Sequence, residues 1–169
     1  VAINRDSAQS TEASMKYYLM GSVSSGILLY GISLLYGATE SFNIQIIFHE
    51  LSTQSNHPLI MIALIFIIGS SALKLGAAPF HMWAPDVYEG ASSPMTLFIS
   101  SAPKVAALGM LYRLMNELFP GFQMDWQKIW MAIAIFSIVI GNVTAIVQTN
   151  LKRMLAYSSI SHMGYMALG

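Results

Sequence analysis

Two lysines stand inside apolar segments long enough to cross a lipid bilayer, and this placement constrains the fold more than any other feature of the chain. Lys74 follows the apolar run from Leu59 to Ile68, with two serines between, and Lys104 sits within Met95 to Leu114, directly after Pro103. A lysine at the centre of a membrane helix costs about 2.5–3.5 kcal/mol, whereas each Leu or Ile returns only about 0.3–0.6. Such a residue is tolerated where it faces protein or water, so each lysine is a functional-site candidate.

The rest of the composition agrees with a membrane setting. Of 169 residues, 55% are hydrophobic and 9% charged, against about a quarter charged in soluble domains. Net charge is zero with no basic block, which leaves nucleic acid without an electrostatic footprint. Cysteine is absent, and there is no Gly-rich nucleotide loop. The chain is therefore expected to hold no cofactor of its own. The start, Asn4-Arg5-Asp6-Ser7 after Val1, lacks a signal-peptide pattern, and Met154 to Gly169 is apolar but short of the roughly 20 residues of a span. Both ends read as cuts, as in the middle of a longer protein.

The expected fold is all-α, a polytopic transmembrane bundle of about five membrane helices, one of them broken. The first runs over about 12–36, with Ser10 or Thr11 as N-cap and Tyr17, Tyr18 and Tyr36 near the interfaces. Its small-residue pairs, Gly21 with Ser25 and Ser22 with Gly26, predict close helix packing, with a polar track through the serines as the alternative. Ser41 to Leu51 is too short to span and is expected at the interface. His49, Glu50 and His57 lack the HExxH spacing that one helix needs to align metal ligands, so no metal is expected.

The second helix begins at Pro58 and is expected to run to about 78. Gly76, Pro79 and Pro85 then predict a break near Ala78 to Phe80 and a broken continuation over 80–89. Interrupted helices at membrane depth are tolerated where protein or a water-filled cavity surrounds them, so a break beside Lys74 suggests a hydrated site. The third helix, about 94–116, carries Lys104 ten residues beyond Pro94, which is about 15 Å and near the midplane of a core about 30 Å thick. Pro103 frees the carbonyl of Ile99 beside that charge. A reversal at Glu89-Gly90, midway between the lysines, would bring both to similar depth on antiparallel segments.

The fourth helix, about 128–148, has Trp126 and Trp130 at its start, and Asn142, Thr144 and Gln148 are expected as interhelical hydrogen-bond partners. The fifth, 153–169, places Ser158, Ser161, His162 and Tyr165 at i, i+3, i+4 and i+7. They share one face, a polar stripe able to carry a proton along side chains and water. Counting spans alternately puts Arg5, Lys16, Lys152 and Arg153 on one side and Arg113 and Lys128 on the other, so the first side is expected to be cytoplasmic or matrix.

Burial in hydrocarbon and a second like charge both favour the neutral amine over the ammonium, so lysines in this setting are poised to take up and release protons. Switching requires a carboxylate or moving element that alternately pairs with and abandons the lysine. Asp86 and Glu89 are candidates at the mouth but too shallow to pair directly with Lys104. The bland alternative is a lysine that snorkels to the interface, which suits Lys74 better than Lys104. His81 is expected either to cap the broken helix or to relay protons.

The run KLGAAPFHMWAPDVYEGA (Lys74 to Ala91), then APK (Ala102 to Lys104) and NLKRMLAYSSISHMGY (Asn150 to Tyr165) resemble the antiporter-like membrane subunits of proton-pumping NADH:quinone oxidoreductase, respiratory complex I. The opening NRDSAQSTEASMKYYLMG, the YGATE after the first helix, and PDVYEGA look like the subunit N (subunit 2) branch. Multi-subunit cation/proton antiporters are related, but they favour an Ala-His pair after the PD. The resemblance covers essentially the whole chain. It implies a subunit of about fourteen helices containing two inverted repeats of about five, of which this piece supplies the last three helices of the first and the first two of the second.

The resemblance further implies that Lys74 and Lys104 lie on a proton path, and that the His162 stripe begins the second repeat's channel lining. Pro79, His81, Asp86, Glu89, Pro103, Ser158, Ser161 and Tyr165 would support them. The family's essential glutamate and its later lysine have no counterpart between Val1 and Gly169. The implied partners are other membrane subunits of complex I, lipid, protons and water, in a bacterial inner membrane or an equivalent energy-coupling membrane. The competing readings are a cation/proton antiporter subunit and a purely structural membrane subunit.

Overall fold

The computed structural model describes residues 7–53 and 58–168. Among them every regular element is helical, in the order α1 (Ala8–Thr39), α2 (Ile44–Thr53), α3 (Pro58–Leu75), α4 (Trp83–Gly90), α5 (Ser93–Leu118), a 3-10 turn (Pro120–Phe122), α6 (Gln123–Val147) and α7 (Leu151–Leu168). Four stretches are long and apolar enough to cross a membrane: Ala8–Thr39, Pro58–Leu75, Ser93–Leu118 and Pro120–Val147. The broken helix consists of the second of these and the short α4, separated by residues 76–82. Arg5 and His57, used in the orientation and metal arguments above, lie outside the described residues.

Helix α1 starts a turn earlier than expected. Its N-cap is Ser7, whose side chain accepts from the Ser10 amide, not Ser10 or Thr11. At the other end Glu40 takes a left-handed conformation (φ 51°) and donates its amide to the Tyr36 carbonyl, closing the last turn at Thr39. The close approach to α3 occurs at Gly31, where an added Cβ would lie 3.1 Å from Phe66 and Ile67, and at Ser24, whose buried hydroxyl donates to the Ser70 carbonyl. It does not involve Gly21 or Gly26, which have open space beside them. Small residues permit close packing, but only the face turned to a neighbour uses it.

Helix α3 ends at Leu75, before the prolines. Gly76, at φ 67°, closes it: the Ala77 amide bonds the Ala72 carbonyl and the Gly76 amide that of Leu73, a Schellman motif that only a residue without Cβ enters cheaply. The break therefore falls at Gly76, and Pro79 lies in the turns that follow. The backbone groups freed there are satisfied from a distance. Ser137, fully buried in the middle of α6, accepts from the Ala78 amide at 2.8 Å and donates to the Ile133 carbonyl at 2.7 Å, and the Trp83 indole donates to Leu73 O. Buried peptide groups demand such partners, so α6 and α4 hold the gap open.

Helices α6 and α7 pack through glycines. A Cβ on Gly141 would stand 2.7 Å from the Ser161 amide, and one on Gly164 would stand 2.8 Å from the Ala134 carbonyl. Among the described residues Thr144 and Gln148 do not bridge helices. Their side chains bond Ile140 O and Thr144 O of their own helix, the return contact that Ser and Thr make when no neighbour offers an acceptor, and Asn142 is exposed. Trp126 donates to Phe119 O and ties α6 to the turn before it.

Candidate functional site

Lys104 is the most deeply enclosed charge among the described residues, at 2% exposure. Helix α5 passes through Pro103 unbroken, and this places the lysine on the face turned towards α4 and α7. Its Nζ donates to Ser159 Oγ of α7 at 3.1 Å and stands 5.6 Å from the ring centre of Tyr88 of α4. The ammonium thus turns to Ser159 and not to the carbonyl freed at Ile99. Ser159 donates its own proton to Ala156 O at 2.9 Å, so towards Lys104 it acts as an acceptor. The buried Tyr88 hydroxyl lies near Ser159 without a well-formed hydrogen bond among the described residues. One neutral oxygen and one aromatic face are little compensation for a charge taken out of water.

Lys74, in the last turn of α3, is half-buried and makes no hydrogen bond or ion pair among the described residues. It lines a cavity of about 940 Å³ between α1, the end of α3 and α5, together with Ser24 and Ser25 of α1 and Pro103 and Ala107 of α5. Pro103 and Ala107, close to Lys104 in sequence, thus line the same cavity as Lys74. Lys104 itself is not among the residues lining that cavity; its Nζ turns to Ser159 and Tyr88 instead. The reversal between them falls at Ala91 and Ser92, just past Glu89-Gly90.

Asp86 and Glu89 belong to a charged cluster where α1, α4 and α7 meet. Arg153 bridges them, 2.9 Å from Asp86 and 2.7 Å from Glu89, Lys16 reaches Asp86 at 2.5 Å, and Asn150 donates to Glu89. Lys152 donates to Ala91 O, so Lys16, Lys152 and Arg153 gather at one end of the bundle, as the counting of spans expects. Arg113 pairs with Glu117 in the distal part of α5. Burial pushes the Asp86 carboxyl up, but the hydrogen bonds and charges of Lys16 and Arg153 outweigh it and hold it below the usual carboxylate range.

The remaining candidates divide. His81 is buried between the halves of the broken helix, its ring 6.4 Å from Tyr157 and its Nδ1 without a well-formed hydrogen bond among the described residues. It does not cap α4, whose N-cap is Met82 and carries no side-chain bond. Pro79 is exposed in the turn. On α7 the stripe splits: Ser161 is buried, Ser158 is half-buried, and His162 and Tyr165 point outward with rings 6.3 Å apart. They do not face Lys104. Ser159, one position off that stripe, reaches the lysine, and no periodicity distinguished it from Ser158. Ser137 left one trace, a lone serine within the apolar run Ile133 to Ile140.

Comparison with known proteins places this geometry. A family profile described as "NADH:quinone oxidoreductase/Mrp antiporter, TM" matches residues 1–169. NADH-quinone oxidoreductase subunit N of Polaromonas naphthalenivorans (strain CJ2) is 52% identical over all of this chain and 34% of its own length. The chain thus spans about a third of the length of the curated relatives it matches. Among solved structures, a chain of respiratory complex I from Thermus thermophilus with bound aureothin is 36% identical, with a TM-score of 0.80 over 97% of this chain and 35% of that one. A chain of the Mrp complex from Dietzia sp. DQ12-45-1b superposes with a TM-score of 0.86 over 96% of this chain and 30% of that one, at 24% identity. That last likeness concerns the fold alone.

Proposed function

Because the chain belongs to the NADH:quinone oxidoreductase/Mrp antiporter transmembrane family, we propose that it is part of a subunit N of NADH:quinone oxidoreductase and moves protons through the membrane arm when quinone is reduced elsewhere in the complex. The redox cofactors sit in other subunits, and this chain contributes the buried Lys104, the half-buried Lys74 and nearby polar groups. Its partners are the neighbouring membrane subunits, lipid, protons and water, in a bacterial inner membrane. The observation that carries the reading is Lys104: a membrane-depth ammonium with a single neutral hydrogen-bond partner is costly to keep unless its charge is used.

Lys74 supplies the second protonatable group, facing a cavity with room for water. Pro103 and Ala107 of α5, close to Lys104 in sequence, line that cavity, so a proton passing between the two lysines would pass this part of α5. The test is proton uptake per NADH oxidised in vesicles holding the intact complex with Lys74→Ala and Lys104→Ala. A lower yield in both supports the reading, and unchanged pumping with both changes together would sink it.

A cation/proton antiporter is the second reading, and the family description, which covers Mrp antiporters as well, favours it. The residues Tyr88-Glu89-Gly90 after Pro85-Asp86 stand against it. It predicts sodium-dependent proton exchange without NADH, which the same vesicles measure.

A further inference from the structure

The contacts around Lys104 come from two helices that are far apart in the chain. Tyr88 lies on the short α4, between the break and the reversal, and Ser159 lies near the middle of α7. Arg153 on α7 holds Asp86 and Glu89 on α4, so Tyr88 and Ser159 keep a fixed relation to each other. The hydroxyl of Ser159 has its proton committed to Ala156 O, which leaves an acceptor lone pair for Lys104. The tyrosine ring presents its electron-rich face to the same nitrogen.

We propose that Ser159 and Tyr88 are positioning residues that form a two-sided seat for Lys104, holding its ammonium on the α7 side of α5 and away from the cavity lined by Lys74. The inference rests on the proton-path reading of Lys104. An accepting oxygen and an aromatic face attract a cation more strongly than a neutral amine, which keeps N–H donors but loses the charge. The seat thus stabilises the loaded state, and separating α4 from α7 would dismantle it. Tyr88 acts on Lys104 through its ring, whose face stands 5.6 Å from Nζ.

The experiment uses the whole complex carrying the full-length subunit in sealed vesicles, with NADH oxidation and proton uptake recorded together. Ser159→Ala removes one oxygen atom, and Ser159→Thr restores it. Tyr88→Leu removes the ring, and Tyr88→Phe keeps it. The expected result is that Ser159→Ala and Tyr88→Leu lower the proton yield per NADH towards that of Lys104→Met, while Ser159→Thr and Tyr88→Phe retain the parent yield. A structural role would change assembly or electron flow and leave the yield per NADH alone. If Lys104→Met loses yield and Ser159→Ala keeps it, the seat is refuted and the proton path stands. If Lys104→Met itself keeps the parent yield, the underlying reading fails. Should Tyr88→Leu fail to assemble, Ser159→Ala decides the matter.

Discussion

Replacing Ser137 by alanine removes one oxygen from the centre of α6 and tests what keeps the broken helix in place. In the folded chain that oxygen is inaccessible to solvent and receives the Ala78 amide at 2.8 Å, in the turn after Gly76 where no helical carbonyl is available. Its loss leaves a buried N–H without a partner. Such a group costs about 1–3 kcal/mol, and the vacated hydroxyl volume is too small to admit a compensating water, which needs two or more polar partners. The Ile133 carbonyl keeps its helical bond, so the penalty belongs to Ala78. The measurement is unfolding of the full-length subunit in detergent, together with hydrogen exchange at the Ala78 amide. Destabilisation in that range with faster exchange at Ala78 is the expected outcome. A change below about 0.5 kcal/mol, the ordinary scatter of neutral substitutions, with exchange at Ala78 unaltered would refute the claim that Ser137 holds the gap.

Gly141→Ala should force α6 and α7 apart, because the new Cβ would meet the Ser161 amide at 2.7 Å and the Tyr157 carbonyl at 2.9 Å. Overpacking of this kind costs about 1–3 kcal/mol, and a thermal unfolding midpoint equal to the parent's would contradict it. Asp86 supplies a pH dependence. Its carboxyl titrates lower in the folded state than in the unfolded chain, so its contribution is complete above the ordinary carboxylate value of about 3.9 and is lost as pH falls through the lowered one. Between about pH 4 and pH 2 the parent should therefore lose more unfolding temperature than Asp86→Asn. Parallel curves would show that the Lys16 and Arg153 pairs add nothing to folding.

The helices were legible because apolar runs of spanning length have few alternatives, and the interruption was legible from Gly76, Pro79 and Pro85. The position of the break was not. Proline marks where a helix cannot continue, but Gly76 ends it first by entering a left-handed conformation that no periodicity announces. Lys104 stood out because a charge in hydrocarbon is anomalous in any fold. Its surroundings did not, since Ser159 and Tyr88 approach it only through the packing of α4 and α7 on α5. The same limit explains the stripe on α7: helical spacing showed that Ser158, Ser161, His162 and Tyr165 share a side, and gave no sign of which side the neighbours would cover. Thr144 and Gln148 illustrate the converse, polar groups in an apolar helix whose hydrogen bonds close within the helix itself.

The central claim is that Lys104 is buried as a charge because it carries protons. Lys104→Met keeps most of the apolar stem and removes the ammonium, so packing among α4, α5 and α7 changes little while the protonatable group disappears. The direct test is proton uptake per NADH oxidised by the intact complex in sealed vesicles. A proton yield below the parent's, with NADH oxidation and assembly retained, is the predicted result; an undiminished yield would contradict the account.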